Sequence, residues 1–405
     1  MGYLPLANIL HHKLRSALSA LGIGIGICML VTLSGLSRGS LSEVADRWES
    51  VDADLIVMPR GWGENASDKS GSALPDRYAA KILANHGDIV RSVVPVFTWP
   101  IKLAGQDQMA IGVDASSWGA LSGGRGLAAG RLSDPDGRFA AWLTAKLLAF
   151  PADHGEILEL AEADLSDPSH NGLELVIDTR LAKAGGYKLG QTVRAANHDW
   201  RIVGIVSSGV MARVFMPRRT AQFLFGNGDV TKSTLMFVKL AAGADVGPAA
   251  RAIGATTGQD VVPLSRYRGM LVEKFGIMFT YVDAVNVTAL IIAFLFIMVT
   301  LYTMVLQRTR EIAILKSSGA SDFFLLRQVL AESMLLTAAG MAVGVAMSFL
   351  AAWLIETLRP LLTVTITWYW IAVSAVVALV GAVAAALYPA WRATRVDVVE
   401  ALTLE

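Results

Sequence analysis

One uncharged run in this chain extends from Ala284 to Leu306, 23 residues without a glycine or a proline. About 20 apolar residues in a helix are enough to cross the hydrocarbon core of a membrane. We therefore predict a span over 283–306. A second uncharged run of 23 residues begins at Ser333, after a short basic segment, and it predicts a span over 332–356. A fold for this chain must place these helices in lipid.

Two further apolar runs lie near the ends of the chain. The first comprises 22 uncharged residues, whereas the apolar core of a signal peptide has roughly 7 to 15 residues. We therefore expect a retained span over 16–37 and no cleaved leader. The last run has aromatic residues at both ends, as in the belts at the two membrane interfaces. It predicts a span over 368–389.

The distribution of basic residues predicts the orientation of these spans. The segment 307–331 between the second and third spans is basic, whereas 357–367 contains a single arginine. Short loops rich in lysine and arginine lie on the cytoplasmic side. We expect both termini there as well, with an interfacial helix over 1–15 and a tail over 390–405.

A polar region, 38–282, separates the first two spans and contains no uncharged stretch long enough to cross a membrane. Short runs rich in β-branched residues alternate with glycine, proline and aspartate and predict strands, while other runs have helical periodicity. The fold class predicted is an α-helical membrane protein with four transmembrane helices plus a large α+β extracytoplasmic domain inserted between helices 1 and 2. A separate subdomain over 120–172 is left open.

Apolar residues at helical spacing predict a stalk helix at each end of this domain. The candidate surface comprises Leu41, Trp48, Met270, Phe275, Met278 and Phe279. Methionine and aromatic side chains adapt to apolar partners of varied shape. Two interpretations remain open, since the stalks could pack on each other or part of this surface could meet an apolar ligand.

Glycines at four-residue spacing occur in two of the spans. Gly22 and Gly26 form one pair and Gly340 and Gly344 another. Such pairs allow two membrane helices to approach closely, although glycine is also simply frequent in membrane helices. The segment 35–39, GLSRG, matches the G-x-S-x-G pattern of hydrolases. It ends a membrane helix and does not form a strand-to-helix turn, which argues against a catalytic serine.

Several functional classes find no support in the sequence. The formal net charge of +1 gives no reason to expect nucleic-acid binding. No Gly-Lys dipeptide occurs, so there is no Walker A phosphate loop. The six histidines have no metal-binding spacing, and the single cysteine can form neither an intrachain disulfide nor a cysteine metal cluster. We predict no catalytic residue and no metal site.

Several segments together resemble the MacB/FtsX family of ABC transporter permeases. The opening PLANILHHKLRSALSALGIGIGICMLVTLSGLSRG is similar to the first helix of that family. ADLIVMPRG, DTRLAKAGGYKLGQTVRAANHDWRIVGIVSSG and VFMPRRTAQFLFG resemble its extracytoplasmic core domain. QRTREIAILKSSGAS at 307–321 and LYPAWRATRVDVVEAL at 387–402 resemble its inner loop and its C-terminal end. The chain departs from the family at Val398, where the family usually has proline.

The resemblance implies a permease subunit in a bacterial inner membrane, with its large domain on the periplasmic or extracellular side. Two ABC ATPase subunits would bind ATP and magnesium, and this chain would bind no cofactor. A second permease copy would complete a homodimer or a heterodimer, and a periplasmic adaptor protein is an optional partner. Mechanical transmission to the outer domain would export or extract a lipid, lipoprotein, haem, drug or similar amphiphile.

The resemblance also implies that the basic segment contacts the ATPase. The candidate coupling residues are Arg308, Arg310, Glu311, Lys316 and Gly319. The same charges would orient the spans in the membrane, so both roles stay open. An alternative function is a membrane regulator whose outer domain controls a partner such as a cell-wall hydrolase. A membrane-anchored enzyme is a third class, for which the sequence offers no site.

Overall fold

The computed structural model describes residues 13–61, 74–149, 160, 162–167, 169–170, 172–209, 211–274, 276–307, 314 and 318–394. The chain divides into two compact units. The first unit comprises Met1–Ser40 and Phe275–Glu405, and the second comprises Leu41–Lys274. Each unit has an apolar core of its own.

The described residues form helices and strands in the following order. The helices are α1 (Lys13–Glu49), α2 (Arg77–His86), α3 (Trp118–Leu121), α4 (Arg138–Ala149), α5 (Glu162–Leu165), α6 (Thr179–Gly185), α7 (Arg218–Phe225), α8 (Val246–Thr257), α9 (Tyr267–Lys274), α10 (Gly276–Gln307), α11 (Asp322–Leu358) and α12 (Trp368–Thr394). The strands are β1 (Leu55–Met58), β2 (Leu74–Pro75), β3 (Val90–Leu103), β4 (Gln106–Val113), β5 (Leu127–Gly130), β6 (Glu174–Asp178), β7 (Thr192–Ala195), β8 (His198–Val206), β9 (Val214–Pro217), β10 (Lys232–Ser233), β11 (Leu235–Leu240) and β12 (Asp260–Pro263).

Among the described residues, three helices are long and apolar enough to cross a membrane. They are Ser16–Glu49, Leu326–Leu358 and Trp368–Tyr388. The span predicted over 283–306 lies within α10, where the described apolar stretch, Gly276–Ile292, is shorter. Three apolar helices and a large α+β domain are thus confirmed, and the fourth crossing stays a prediction.

Small side chains hold the described helices of the first unit together. On α12, the buried residues recur at the spacing of one helical face and are Ala378, Ala382, Ala385 and Ala386. They share a cluster with Ile23 and Ile27 of α1 and Leu336 of α11. Because alanine is small, α12 can approach its neighbours closely.

Ten strands of the second unit form one mixed sheet. Their order is β12-β1-β11-β3-β4-β9-β6-β8-β5, with β7 also paired to β8. Among the described strands, β4 pairs with β9 and β6 with β8 in parallel, and the other pairs are antiparallel. Within 120–172, β5 joins this sheet beside β8, and residues 150–159 lie outside the described part of the chain.

The sheet has apolar residues on both of its faces. In β1, Ile56 and Met58 belong to one buried cluster, and Leu55 and Val57 belong to another that includes residues of α2 and α8. Successive residues of a strand point to opposite faces, so a continuous apolar strand serves both clusters. The outer end of α1 and the start of α9 lie in the first cluster.

Candidate functional site

The two chain segments that flank the sheet of the second unit pack directly on each other. The ring of Trp48 on α1 stacks on that of Tyr267 on α9, with centroids 4.6 Å apart and planes at 24°. Phe237 of β11 lies 5.9 Å from Trp48. All three rings are buried, and burial raises the pKa of the Tyr267 hydroxyl. The outer end of α1 is therefore part of the core of the domain.

Arg268 adds a polar clamp between the same two helices. Its Nε and Nη2 donate to the two carboxylate oxygens of Glu49 at 3.1 and 3.0 Å, and Nη1 donates to Ser42 Oγ at 3.2 Å. Asp46 accepts a further bond from Nη2. The hydrogen bonds that Arg268 donates to Glu49 and Asp46 raise its pKa. The side chain is 41% exposed, so the clamp fixes geometry more than it adds stability.

Glu43 ties α1 to the other half of the sheet. Its Oε1 lies 2.8 Å from Arg213 Nη2, just before β9, and 3.1 Å from Arg180 Nη1 on α6. Arg47 Nε, one helical turn further along α1, is 4.0 Å from the same oxygen. Burial, and then the charge of Arg213, lowers the pKa of Arg47. One carboxylate thus joins three guanidinium groups around the helix.

Asp178 closes this cluster at the start of α6. Its Oδ1 accepts the N–H of Leu181 at 2.6 Å, which caps the helix. Burial raises the pKa of Asp178, against the opposing effects of the Leu181 hydrogen bond and of the nearby arginines. The C-terminal end of α1 therefore contacts β11 and α9 through its aromatic stack and Arg268. On the other side it forms ion pairs with α6 and with Arg213, just before β9. In the second unit, it cannot move without the sheet.

The candidate apolar surface falls partly inside the domain. Trp48 is buried in the stack, and Leu41 and Met270 pack half-buried against the same cluster. Phe275 lies outside the described residues. For these stalk residues the structure favours packing between the helices over a surface that is open to ligand.

Met278 and Phe279 belong to the first unit. Met278 is exposed on α10, as are Ile277 and Tyr281. The Phe279 ring lies 5.5 Å from the Arg38 guanidinium, which is itself 4.7 Å from the ring of Trp370. The first turns of α10 thus expose an apolar patch of Ile277, Met278 and Tyr281, whereas Phe279 contacts Arg38 at the end of the first span.

Gly340 and Gly344 of α11 pack closely against α1. A Cβ atom on Gly344 would lie 2.7 Å from the carbonyl oxygen of Gly24, and one on Gly340 would lie 3.0 Å from that of Ala20. Ala20 and Gly24 therefore provide the small residues at four-residue spacing that face α11. The pairing predicted for Gly22 and Gly26 is shifted by two positions.

Gly22 and Gly26 have other surroundings. Gly22 is half-buried, and Gly26 lies in the wall of an apolar groove of about 450 Å³ between α1, α10 and α12. The alternating glycines of α1, Gly22, Gly24 and Gly26, include the one that faces α11, which is Gly24. The sequence alone does not show how α1 is rotated about its axis, and this rotation decides which glycine faces α11.

The GLSRG segment packs closely against the loop between α11 and α12. A Cβ atom on Gly39 would lie 2.8 Å from the Thr363 carbonyl oxygen, and the N–H of Thr365 donates to Gly35 O at 3.1 Å. Ser37 donates within α1, to Ser34 O at 3.4 Å. The serine thus lies inside a continuous helix, in agreement with the sequence argument against a nucleophile.

A polar contact inside the apolar helices was missed by the sequence reasoning. Asn286 of α10 is buried, and its Nδ2 donates to Ser34 Oγ on α1 at 3.0 Å. Hydrogen bonds of this kind between membrane helices contribute about 0.6 to 2 kcal/mol. The sequence did contain a signal for this contact, because Asn286 is the one amide side chain in the uncharged run from Ala284 to Leu306.

Most of the candidate coupling segment lies outside the part of the chain that the structure describes. Arg308, Arg310, Glu311 and Lys316 lie outside the described residues. Gly319 is exposed with φ of +92°, a conformation that favours glycine. Shortly after it, Ser321 caps α11 by accepting the N–H of Phe324 at 3.3 Å. Contact with an ATPase stays a prediction for all five residues.

The described residues contain no group of three or more histidine, cysteine, aspartate or glutamate side chains arranged to hold a metal ion.

Two family models match the chain. Residues 16–256 match the model of the MacB-like periplasmic core domain, which covers more than half of the sequence. The chain belongs to the MacB/FtsX family. Residues 284–398 match the FtsX-like permease C-terminal model. This MacB/FtsX-family permease is therefore a membrane protein with a periplasmic-type domain.

Relatives of this MacB/FtsX permease include proteins described as macrolide export ATP-binding/permease protein MacB. The protein of Neisseria gonorrhoeae is 25% identical over 362 residues, which cover 84% of this chain and 51% of the relative. That of Acinetobacter baylyi is 24% identical over 366 residues, with 85% and 50% covered. The chain thus spans about half the length of the curated relatives it matches.

Two solved structures are similar to part of the permease. The periplasmic region of MacB from Actinobacillus actinomycetemcomitans has a TM-score of 0.37 and 14% identity, and covers 55% of this chain and 94% of that one. The extracellular domain of the noncanonic ABC-type transporter YknZ from Gram-positive bacteria has a TM-score of 0.33 and 14% identity, with 52% and 98% covered. Family membership rests on the two family models and not on these similarities.

Proposed function

We propose that this chain is the permease subunit of an ABC transporter, with ATP and magnesium bound by two copies of a separate ATPase subunit. Closure of the ATPases would be converted into movement of the outer domain, and this movement would export or extract a hydrophobic or amphiphilic substrate. The chain would lie in a bacterial inner membrane with both termini in the cytoplasm. A second permease copy would complete the assembly.

The observation that carries this proposal is the incorporation of α1 into the outer domain. The helix is continuous over Lys13–Glu49, a length of about 55 Å at 1.5 Å per residue. Its outer end is held by the Trp48 stack and by the arginines around Glu43. A helix without a break that ends inside a packed core can transmit a displacement. This supports mechanical coupling over a route for substrate through the helices.

The class of substrate is inferred from chemistry and from the relatives. Proteins described as macrolide exporters align over most of this chain, and macrolides are amphiphiles. The exposed patch formed by Ile277, Met278 and Tyr281 could contact an apolar part of such a molecule. Lipids, lipoproteins and haem are alternatives within the same chemical class.

The decisive experiment starts from the chain purified together with its ATPase and reconstituted in lipid. ATP hydrolysis is then measured with macrolides, haem, lipids and lipopeptides, each added separately. We expect at least one amphiphile to stimulate hydrolysis. Failure to find any associated ATPase would overturn the proposal. If a bound cell-wall hydrolase is activated and no amphiphile has an effect, the regulator function is correct instead.

The coupling segment is tested with the double swap Arg310→Glu and Glu311→Arg, which leaves the net charge of the segment unchanged. We expect the ATPase to be lost on purification while membrane insertion is retained. Arg359→Glu is the control, since Arg359 is exposed just after α11 and lies in the predicted outer loop. Full coupling in the double swap would show that the segment is assigned wrongly.

A further inference from the structure

The outer domain contains a crevice where two parallel strands end. β4 and β9 pair in parallel, with Val113 opposite Pro217. Both strands end at these residues. The chain then continues into the turn and helix α3 after β4, and into α7 after β9. In open sheets, ligands commonly bind outside the carboxyl ends of parallel strands, at the point where successive connections diverge.

The connections after β4 and β9 leave on opposite faces of the sheet. Trp118 of α3 packs edge-on against Phe215, with ring centroids 4.9 Å apart. On β4, Gly112 points to the other face, where an added Cβ atom would lie 2.8 Å from Ala221 Cβ on α7. The gap between α3 and α7 is thus a consequence of the topology.

A cavity of about 390 Å³ occupies this gap. Its walls are the ends of both strands, the residues that follow them and the loop before α4. Sites for small molecules typically start at roughly 300 Å³. The cavity therefore has room for a small ligand.

The buried arginine in the wall is already neutralised. Arg218 is 7% exposed, and it donates from Nε to Asp114 Oδ2 at 2.8 Å and from Nη1 to Asp76 Oδ2 at 2.5 Å. Burial acts to lower the pKa of Arg218, but Asp114 and Asp76 outweigh it and raise the pKa. Because both carboxylates hold this guanidinium, it offers little to an anionic ligand.

Three acceptors in the same wall are unused. Ser133 is 5% exposed and lines the cavity, yet its hydroxyl makes no hydrogen bond with the described residues. The Ser116 hydroxyl and Asp114 Oδ1 likewise have no partner within the described part of the chain. Ser116 is exposed and Asp114 is half-buried, so these acceptors are accessible to a donor that enters the cavity.

The charge of the walls favours a cation. The carboxylates of Asp114, Asp134 and Asp136 line the cavity together with two arginines, Arg218 and Arg219. Behind the wall, Asp76 pairs with both arginines. Arg138, next to the lining residue Gly137, pairs with Asp136 at 3.3 Å. These four carboxylates and three guanidinium groups leave one net negative charge around the crevice, which favours a cation.

We propose that this crevice binds a small organic cation through a primary ammonium group. An ammonium carries three N–H donors, which would meet Asp114 Oδ1 and the hydroxyls of Ser133 and Ser116. The alkyl part would lie against Val113, Pro135 and Pro217, which also line the cavity. This site goes beyond the proposed transport function, because its residues take no part in the stalk contacts.

The test is calorimetric titration of 1,5-diaminopentane into the purified full-length chain in detergent. We expect saturable binding of one molecule per chain, weakened by salt. 1,5-Pentanediol has the same length without the charge, and we expect at least tenfold weaker binding. Equal binding of the diol, or no saturation by the diamine at millimolar concentration, would overturn the proposal.

Two variants locate the site. Ser133→Ala leaves the Asp114 and Arg218 pair intact, and we expect it to weaken diamine binding about tenfold, as for loss of a hydrogen bond to a charged group. Asp107→Asn removes an exposed carboxylate at the opposite end of β4, and we expect unchanged binding. A Ser133→Ala variant that binds like the wild type would show that the diamine is held elsewhere.

Discussion

The indole ring of Trp48 lies on the phenol ring of Tyr267, with centroids 4.6 Å apart. These residues are close to the points at which the chain enters and leaves the sheet of the outer domain. A single ring stack therefore joins the two ends of that domain. The stalk segments on which the residues lie cannot separate unless the core opens.

The Trp48→Ala variant should destabilise the outer domain by about 3 to 5 kcal/mol, because truncating a buried aromatic side chain leaves a cavity. Scanning calorimetry of the full chain in detergent measures the loss. Tyr267→Phe keeps the ring and is the matched control, for which we expect little change. Equal stability of the two variants would show that the stack does not hold the domain together.

Two glutamates of α1 should differ in their contribution to stability. Glu43 is 18% exposed and binds the buried Arg213, whereas Glu49 is 33% exposed and binds the half-exposed Arg268. Breaking a buried pair costs about 3 to 5 kcal/mol, and an exposed pair contributes about 1 kcal/mol or less.

Glu43→Gln should therefore destabilise the domain more than Glu49→Gln, as measured by denaturant unfolding. Salt should reduce the effect of Glu49→Gln more, because exposed charges are better screened. The reverse order of the two variants would contradict the role of Glu43 as the centre of the arginine cluster.

Gly344→Val should force α1 and α11 apart, because any Cβ atom at this position meets Gly24 O at 2.7 Å. We expect a loss of roughly 1 to 3 kcal/mol from overpacking, measured as a lower thermal midpoint in detergent. Gly381→Ala on α12 is the control, since no atom lies within 4 Å of its added Cβ. A Gly344→Val variant with an unchanged thermal midpoint would contradict the close contact between α1 and α11.

Asp178 predicts a specific pH dependence. Burial raises its pKa above the unfolded value of 3.8, so the folded domain binds this proton more tightly than the unfolded chain does. The associated stability is fully present below pH 3.8 and is lost as the pH rises through the folded pKa. Asp178→Asn retains a side chain that can cap α6 and does not titrate.

The Asp178→Asn variant should therefore gain stability relative to the wild type as the pH rises from about 3.8 to neutrality. The quantity compared is the free energy of unfolding of the two proteins. Unfolding of both proteins over this range gives the difference directly. A difference that shrinks with rising pH would contradict the direction of the pKa shift.

Local patterns were sufficient for most elements of the outer domain. The helical pattern over 179–185 predicts a helix, which the structure has at Thr179–Gly185, and the apolar run RVFMP (213–217) predicts a strand, which the structure has at Val214–Pro217. The sequence runs 88–97 and 100–105 predict two strands, the second beginning at Pro100, but β3 is continuous over Val90–Leu103. Its pairing with β11 ends at Val96, so the missing N–H of Pro100 costs no bond to that neighbour.

Contacts between distant residues could not be predicted in the same way. The sequence contained the small residues of α1 but not the rotation that selects Gly24. Ser133, Asp114 and Arg218 are up to about a hundred residues apart in the chain, and only the pairing of β4 with β9 brings them to one crevice. Nothing in their local sequence distinguishes them from ordinary loop residues.

The sequence by itself determined that this protein has apolar helices, an α+β domain between the first two predicted spans, and the motifs of its family. Those properties follow from composition and periodicity, which act over a few residues. The tertiary structure decided that Trp48 is part of a core, that Glu43 joins three arginines, and that unused acceptors meet at the ends of β4 and β9. Such choices depend on strand order and helix rotation, which packing over the whole domain selects.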